Sequence, residues 1–326
     1  MTSPLVSIII PSYNLVELLP ETIESALNQS YQNIEIIVID DGSTDDTDSL
    51  SDGYKKKGVH WYTIKNNGAS NARNIGIAKS KGEYIQFLDA DDILHTKKIE
   101  FQIKKMLHEK ADLSFTFWGD FSKNIDNHDD FRFKDINCSE IHTGKDLMVS
   151  YGMHNWFVIP IAWLVHKSLI KKAGDWNVDI TNNDDGEYFS RVLYHTQKVI
   201  RIDEILGYYR VLPANSLSSL NTKDKFESAF KSYNLITDLL KKDKNTALLS
   251  YSKRVYFNMY RWSKYKYPIL SKNAAKEFDR LDADCFLSKK KKYWICIKWF
   301  GLYKGTIVYE NSIKILIKII KLKYNL

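Results

Sequence analysis

The stretch NNGASNARNIGIAKSKGEYIQFLDADD, residues 66–92, decides the fold. Gly68 opens a turn, and the spacing predicts a helix from about Ala69 to Ser80, ended by Lys81-Gly82. A strand follows over Glu83 to Leu88 and runs into Asp89-Ala90-Asp91-Asp92. The same unit recurs upstream. LVSIII, residues 5–10, is a continuous apolar run, as expected of a strand covered on both faces. Pro11 to Asn14 reads as a turn, followed by a helix to about Gln29. EIIVID, residues 35–40, is a second strand that ends in Asp40-Asp41-Gly42-Ser43-Thr44-Asp45, with good helix-capping residues. The next helix reaches about Lys57 and stops at Gly58, and VHWYTI, residues 59–64, is a third strand. Strands alternating with helices imply an α/β, Rossmann-like architecture with a mostly parallel sheet flanked by helices. Ligands on such sheets bind at the carboxyl ends of the strands. Tyr13-Asn14, Asp40-Asp41 and Asp89 to Asp92 all fall there.

Downstream the signal is coarser. Residues 124–142 are polar and irregular. Val158 to His166 is strand-like, Asp184 to Tyr194 helical, and Ile202 to Val211 strand-like again. After Asn221 the pattern is helical and amphipathic. The boundary is placed near Ser218, giving a domain over 1–218 and a helical region over 219–326. At 326 residues, two domains match the usual length per domain.

Charge separates the same two regions. The chain carries a net charge of +7. Leu281 to Leu326 holds 10 Lys, no Arg and the acids Asp282, Asp284 and Glu310, so the whole surplus lies there. A nucleic-acid binder places its basic patch on the folded domain, so no nucleic-acid partner is expected. Cys138, Cys285 and Cys296 are too few and too scattered for a metal site or a disulfide framework, which suits a reducing compartment. No signal peptide and no 18-residue uncharged apolar stretch is visible.

Four clusters can carry chemistry. Asp89, Asp91 and Asp92 would repel one another at a strand end unless a cation such as Mg²⁺ or Mn²⁺ sits there. The alternative is a solvated turn in which Asp92 caps the next helix. Asp40-Asp41 can accept from a base or ribose, or satisfy local backbone. Arg73, on a helix otherwise lined with small residues, can clamp a phosphate or pair internally with Asp89 or Asp41; the internal pair is favoured. Asp185, in Asn183-Asp184-Asp185-Gly186-Glu187, can cap its helix or serve as a base at a pocket rim.

Taken in order, VSIIIPSYN, EIIVIDDGSTDDT, residues 66–92 and NNDDGEYFSRV resemble glycosyltransferase family 2, the GT-A type. The resemblance covers residues 4–215 and is densest over 4–95. It implies an inverting, metal-dependent enzyme that moves a sugar from a nucleoside diphosphate sugar, by default a UDP-sugar, to a hydroxyl of a glycan or lipid-linked acceptor. The bacterial setting it implies is capsule, O-antigen or exopolysaccharide synthesis. It places nucleotide-sugar binding in residues 1–120 and the acceptor side in 121–218. By this resemblance Pro11 and Tyr13 line the base and Asp41 contacts it. Arg73, Asp89 and Ala90 belong to the donor site, with Asp89 near the ribose. Asp91 holds Mn²⁺ or Mg²⁺, and Asp185 is the catalytic base, although Asp184 stands where Glu is more usual. Tyr209-Arg210 with Asn215-Ser216 resembles a segment near the diphosphate.

Two other classes remain. A nucleotidyltransferase also uses strand-end acids with a metal, but PSYNLVELL lacks its Gly-rich basic loop. A non-catalytic sugar-nucleotide-binding scaffold would have no need of Asp89, Asp91 and Asp185. The aromatic segment Tyr151 to Trp163 either lines the acceptor side or is core, and His154 and His166 read as surface or satisfied groups. In the tail, Lys289 to Lys292 precede an aromatic run. Lys314, Lys318 and Lys321 share one face opposite Ile313, Leu316, Ile317 and Ile320. That is the pattern of an interfacial anchor for an anionic membrane surface. The expected location is therefore cytoplasmic, peripheral at the inner face of the plasma membrane.

Overall fold

The computed structural model describes residues 3–129, 140–212, 220, 222–285 and 291–324. Cys138, Asn215-Ser216, the expected boundary at Ser218, and Lys289-Lys290 lie outside the described residues, as do the side chains of Lys291, Lys292 and everything beyond Ile315. The chain forms two compact units, Met1–Leu147 with Phe157–Ser219, and Met148–Trp156 with Leu220–Leu326.

The first unit contains β1 (Val6–Ser12), α1 (Leu19–Leu27), β2 (Ile34–Asp40), α2 (Ser51–Lys56), β3 (His60–Thr63), α3 (Ala69–Lys79), β4 (Tyr84–Phe87) and β5 (Ile93–Leu94). These are followed by α4 (Lys98–Glu109), β6 (Leu113–Phe121), the start of α5 (Gly144–His154), β7 (Trp163–His166), α6 (Lys167–Ala173), α7 (Asp184–His195) and β8 (Val199–Arg210). One sheet takes them in the order β3-β2-β1-β4-β7-β6-β8-β5. Each residue of β1 is buried, which is why this strand is largely apolar, with Ser7 and Ser12 as small buried polar residues. Helix α3 lies close against it. A Cβ on Gly76 would stand 2.3 Å from Ile9 Cγ2, so the glycine permits the approach.

The sheet is mostly parallel, as expected, with short antiparallel pairings within it. β1, β2, β3 and β4 run parallel, joined by helical crossovers. β7 is antiparallel to both β4 and β6, and β5 is antiparallel to β8. Downstream, β6 and β8 also pair in parallel, from Leu113 opposite Val199 to Phe121 opposite Arg210. The strand expected over Val158 to His166 is shorter, because Pro160 to Ala162 form a 3₁₀ turn before β7. The shared direction of β1, β2 and β4 brings their carboxyl ends, with the acidic loops, to one edge.

The second unit is helical: α8 (Lys223–Leu240), α9 (Leu249–Ser263), α10 (Pro268–Arg280) and α11 (Lys291–Tyr324), the last interrupted at Gly301 with φ +73°. Leu302 N–H donates to Asp279 Oδ1 at 2.9 Å and pins that break to α10. Tyr151 and Trp156 belong to this unit and are buried edge to face at 5.1 Å, so both are core. Among the described residues, no helix is long and apolar enough to cross a membrane.

Candidate active site

Asp40 ends β2 inside the sheet and Asp41 follows it. Asp40 Oδ1 accepts from Ser43 N–H at 3.0 Å and from the Ser43 hydroxyl at 2.5 Å, closing the turn. Gly42 sits there at φ +71°, and a Cβ would meet Asn66 N at 2.8 Å and Ile64 O at 2.9 Å. The backbone N–H groups of Asn67 and Gly68 donate to Asp41 Oδ1 and Oδ2 at 2.9 and 2.8 Å. Asp41 thus fastens the entry to α3 to the end of β2, and each of its oxygens keeps a second lone pair. Asn14 laces the first strand end to the second, because its Oδ1 accepts from Thr44 N–H at 2.7 Å. Pro11 is buried in β1, whereas Tyr13 is 46% exposed at the mouth of this edge.

Arg73 makes the internal pair, and with one partner more than expected. Its Nη2 donates to Asp89 Oδ1 at 2.8 Å and its Nη1 to Asp184 Oδ2 at 3.0 Å. Its side chain is 8% exposed, so the guanidinium bridges two acidic loops and is not a free phosphate clamp. Burial disfavours the Arg73 cation, but Asp89 and Asp184 outweigh it and hold the guanidinium above its ordinary value. Ser70 Oγ also donates to Asp184, at 3.2 Å. The bridge sets the start of α7, and with it Asp185, beside the loop that follows β4.

Three carboxylates on this edge are raised: Asp91, Asp92 and Asp185. Burial and then the charge of Asp89 push Asp91 up to about 6. Burial and then the charge of Asp184 push Asp185 up to about 6, against the Gly186 N–H and Arg73. Gly186 N–H donates to Asp185 Oδ1 at 2.8 Å, so the carboxylate is both oriented and half-buried at a helix start. Ala90 between the acids is buried.

Asp92 and Arg210, both already within the sequence motifs, brace this edge. Asp92 is buried, its Oδ1 accepts from Arg210 N–H at 2.9 Å, and burial and Asp91 raise it well above the carboxylate range. Arg210, at the end of β8, donates from Nε to the Asp91 carbonyl at 2.8 Å and from Nη2 to Glu21 Oε2 at 2.5 Å. It props the acidic loop from behind. Glu21 gave no motif signal of its own; Asp184 belongs to the motif around Asp185, but its bond to Arg73 was not expected. His166 is a helix cap that accepts from Ser168 N–H at 3.2 Å, and His154 is exposed. Trp163 is core, stacked on Phe189 at 5.4 Å.

The fit of a divalent cation can be judged from the donors. No group of three or more His, Cys, Asp or Glu in metal-holding geometry occurs among the described residues. Asp91 has burial and a like charge beside it, and a cation would relieve both. Mg²⁺ and Mn²⁺ sites commonly use one or two carboxylates and complete the shell with substrate phosphates and water. The edge therefore fits such an ion together with a diphosphate, not as an all-protein cage. An open groove of about 630 Å³, lined by Lys105, Glu109, Phe115 and Arg201, lies at the start of β8 and not at this edge.

Comparison with known proteins shows the family and the fold. The model of "Glycosyl transferase family 2" matches residues 7–174. An "Uncharacterized glycosyltransferase" of Haemophilus influenzae is 33% identical over 242 residues, covering 72% of this chain and 88% of that protein. The Escherichia coli "UDP-Glc:alpha-D-GlcNAc-diphosphoundecaprenol beta-1,3-glucosyltransferase WfaP" is 48% identical over 115 residues, 34% of this chain and 45% of its own length. Against two longer Rickettsia relatives the matched stretch spans only 15% and 17% of their length. Among solved structures, S. aureus TarS 1–349 in complex with UDP-GlcNAc aligns with a TM-score of 0.67 over 85% of this chain and 81% of that one, at 17% identity, a likeness of fold. The chain belongs to glycosyl transferase family 2, whose match takes in Asp41, Asp89 and Asp91 of the GT-A-like unit.

Proposed function

We propose that the chain transfers a sugar from a UDP-sugar to a hydroxyl of a glycan or lipid-linked acceptor, with inversion at the anomeric carbon. The observation that carries this reading is the Arg73 bridge. It joins the Asp89–Asp91 loop and the Asp184–Asp185 helix start into one rim, with a raised carboxylate on each side. The UDP and UDP-GlcNAc complexes of TarS support a UDP donor, and the name of WfaP supports a diphosphoundecaprenol-linked acceptor.

In this reading Pro11, Tyr13 and Asp41 hold the base, and Asp89 and Ala90 line the donor on the way to the diphosphate. Asp91 would hold Mn²⁺ or Mg²⁺. Such an ion, when bound, neutralises charge that develops on the leaving diphosphate. Arg73 keeps Asp89 in place. Asp185 accepts the proton of the acceptor hydroxyl, and its position near 6 suits a base that is ionised at neutral pH and still basic. One carboxylate acting on the acceptor, with the other acids committed to the donor, leads to a single displacement and hence inversion. A retaining route needs two carboxylates flanking the bond.

The second unit supports a peripheral place at the inner face of the plasma membrane. Ile295 and Trp299, 50% and 77% exposed, lie four apart on α11 with Lys298 beside them. Apolar side chains with a basic rim favour an anionic lipid surface, where a lipid-linked acceptor would be found. The test of function is release of nucleoside diphosphate by the full chain with Mn²⁺, a panel of UDP-, GDP- and dTDP-sugars, and a membrane lipid extract. UDP release with at least one UDP-sugar is expected, and Asp185→Asn should retain UDP binding and lose transfer. No turnover and no nucleotide binding would overturn the reading.

A further inference from the structure

Trp176 lies in the loop between α6 and α7 and is 2% exposed. The Arg73 guanidinium sits over its ring, 4.5 Å from the centroid. The ring of Tyr188, on α7, stacks on the indole at 4.1 Å and 10°. Two groups this close cannot share one face, so the indole lies between the cation and the tyrosine. Its backbone is held by the neighbour of Arg73. Trp176 N–H donates to Asn74 Oδ1 at 2.7 Å, and Asn74 Nδ2 donates to the Trp176 carbonyl at 2.9 Å. Arg73 Nε is buried without an acceptor, so no hydrogen bond from that nitrogen fixes the plane of the guanidinium. Its orientation rests on the two carboxylates and the indole face.

We propose that Trp176 is a positioning residue for the transfer step: it holds the Arg73 guanidinium against Asp184, so that α7 presents Asp185 at a fixed place beside the Asp89–Asp91 loop. This rests on the reading of Asp185 as the base. Trp176 makes its hydrogen bonds to Asn74, with none to the site carboxylates, and acts through Arg73 and Tyr188. Its packing ties both ends of the bridge, α3 through Asn74 and Arg73, and α7 through Tyr188. A small displacement of a base from its attack position is costly, about a hundredfold for roughly 1 Å.

The test compares the full chain with Trp176→Leu, Trp176→Phe and Asn74→Ala. Transfer is measured per UDP-binding site, so that loss of folded protein is divided out. For Trp176→Leu, kcat per site should fall about 10- to 100-fold, while UDP affinity with Mn²⁺ stays within about threefold. Trp176→Phe, which keeps an aromatic face, should recover most of the loss. The charged groups facing Asp185 are Asp184, Asp89 and Arg73, with the Gly186 N–H. Loosening Arg73 weakens the one cation among them, so the acid limb of kcat should move to higher pH in Trp176→Leu. A purely structural role would lower the number of UDP sites and leave kcat per site and the limb unchanged, and that result would overturn the proposal. If Trp176→Leu does not fold, Asn74→Ala, which removes both bonds to the Trp176 backbone, decides by the same limb and kcat: a lowered kcat per site with the limb moved up supports the role, and no change in either overturns it. Asp185→Asn serves as the control. Transfer surviving in it refutes the base assignment, whereas transfer lost in it but normal in Trp176→Leu refutes only the role of Trp176.

Discussion

Acidification from pH 7 to pH 5 should silence transfer through one group, Asp185. Its carboxyl is pushed up to about 6, first by burial and then by the charge of Asp184. A base at that position is about nine-tenths ionised at pH 7 and about one-eleventh at pH 5, so kcat should fall about tenfold between them. An aspartate at the ordinary value near 3.9 would lose less than about a tenth of its activity over the same range. The assay is kcat with donor, metal and acceptor saturating at each pH, so that the donor-side acids are occupied throughout. Asp184→Asn removes the neighbouring charge and leaves Arg73 with fewer partners, and both changes favour the Asp185 carboxylate. The midpoint should then move down towards about 5.

The same shift predicts a stability effect of defined sign. A carboxyl whose folded value lies above its unfolded value binds more protons in the folded state between the two. Stability is therefore lost as pH rises through that window, and the cost is complete above about 6. For Asp185 it is about 2–3 kcal/mol at pH 7. Asp185→Asn should thus raise the urea midpoint at pH 7 and leave it nearly unchanged at pH 3.5. A kcat that is flat from pH 7 to 5, or an Asp185→Asn variant no more stable at pH 7 than the native chain, would refute the placement of Asp185.

Two further outcomes follow from packing and surface. Gly76→Ala should destabilise the first unit by about 1–3 kcal/mol in urea titration, because its Cβ would lie 2.3 Å from the buried Ile9 Cγ2; an unchanged midpoint would show that α3 can lift from β1 without cost. Ile295→Ser with Trp299→Ser should weaken co-sedimentation of the full chain with phosphatidylglycerol vesicles at least about tenfold, given about 1.5–3 kcal/mol for burying each large apolar side chain. Equal binding by the double variant would remove this face from any membrane role.

The parts of the fold legible in the residues were those whose physics is local. β1 and most of β2 are buried and read as largely apolar runs, and α3 is bounded by a glycine turn and by Lys81-Gly82. β5, two residues long, and β6, which mixes Ser, Thr and Asp with aromatics, depend on partners far away and carried no such pattern. Lys98 shows the same limit in one side chain. In sequence it is one lysine among several on a charged helix, yet it is fully buried, donating to Gln86 and Gln102 at 2.5 Å each. Nor does a periodic pattern announce that Met148–Trp156 leaves the first unit for the second.

The site divides along the same line. Asp89 and Asp91 were visible as a cluster, and Arg73 stood out because its helix has little else that is long or charged. Small residues let α3 approach the sheet, and a lone long side chain near its start, on a buried face, has to find acids rather than water. Asp89 was a foreseeable partner at 16 residues' distance. Asp184 lies 111 residues away and could only be assigned once α7 was in place. That second bond matters most for chemistry, because it turns a local ion pair into the link between the donor loop and the carboxylate proposed as base. A single buried cation shared by two acids also couples them. Whatever draws Asp89 away from Arg73 leaves more of its charge to Asp184 and, through it, less repulsion on Asp185. Filling the donor side is thereby expected to favour ionised Asp185, so that the base is most ready when there is a sugar to transfer.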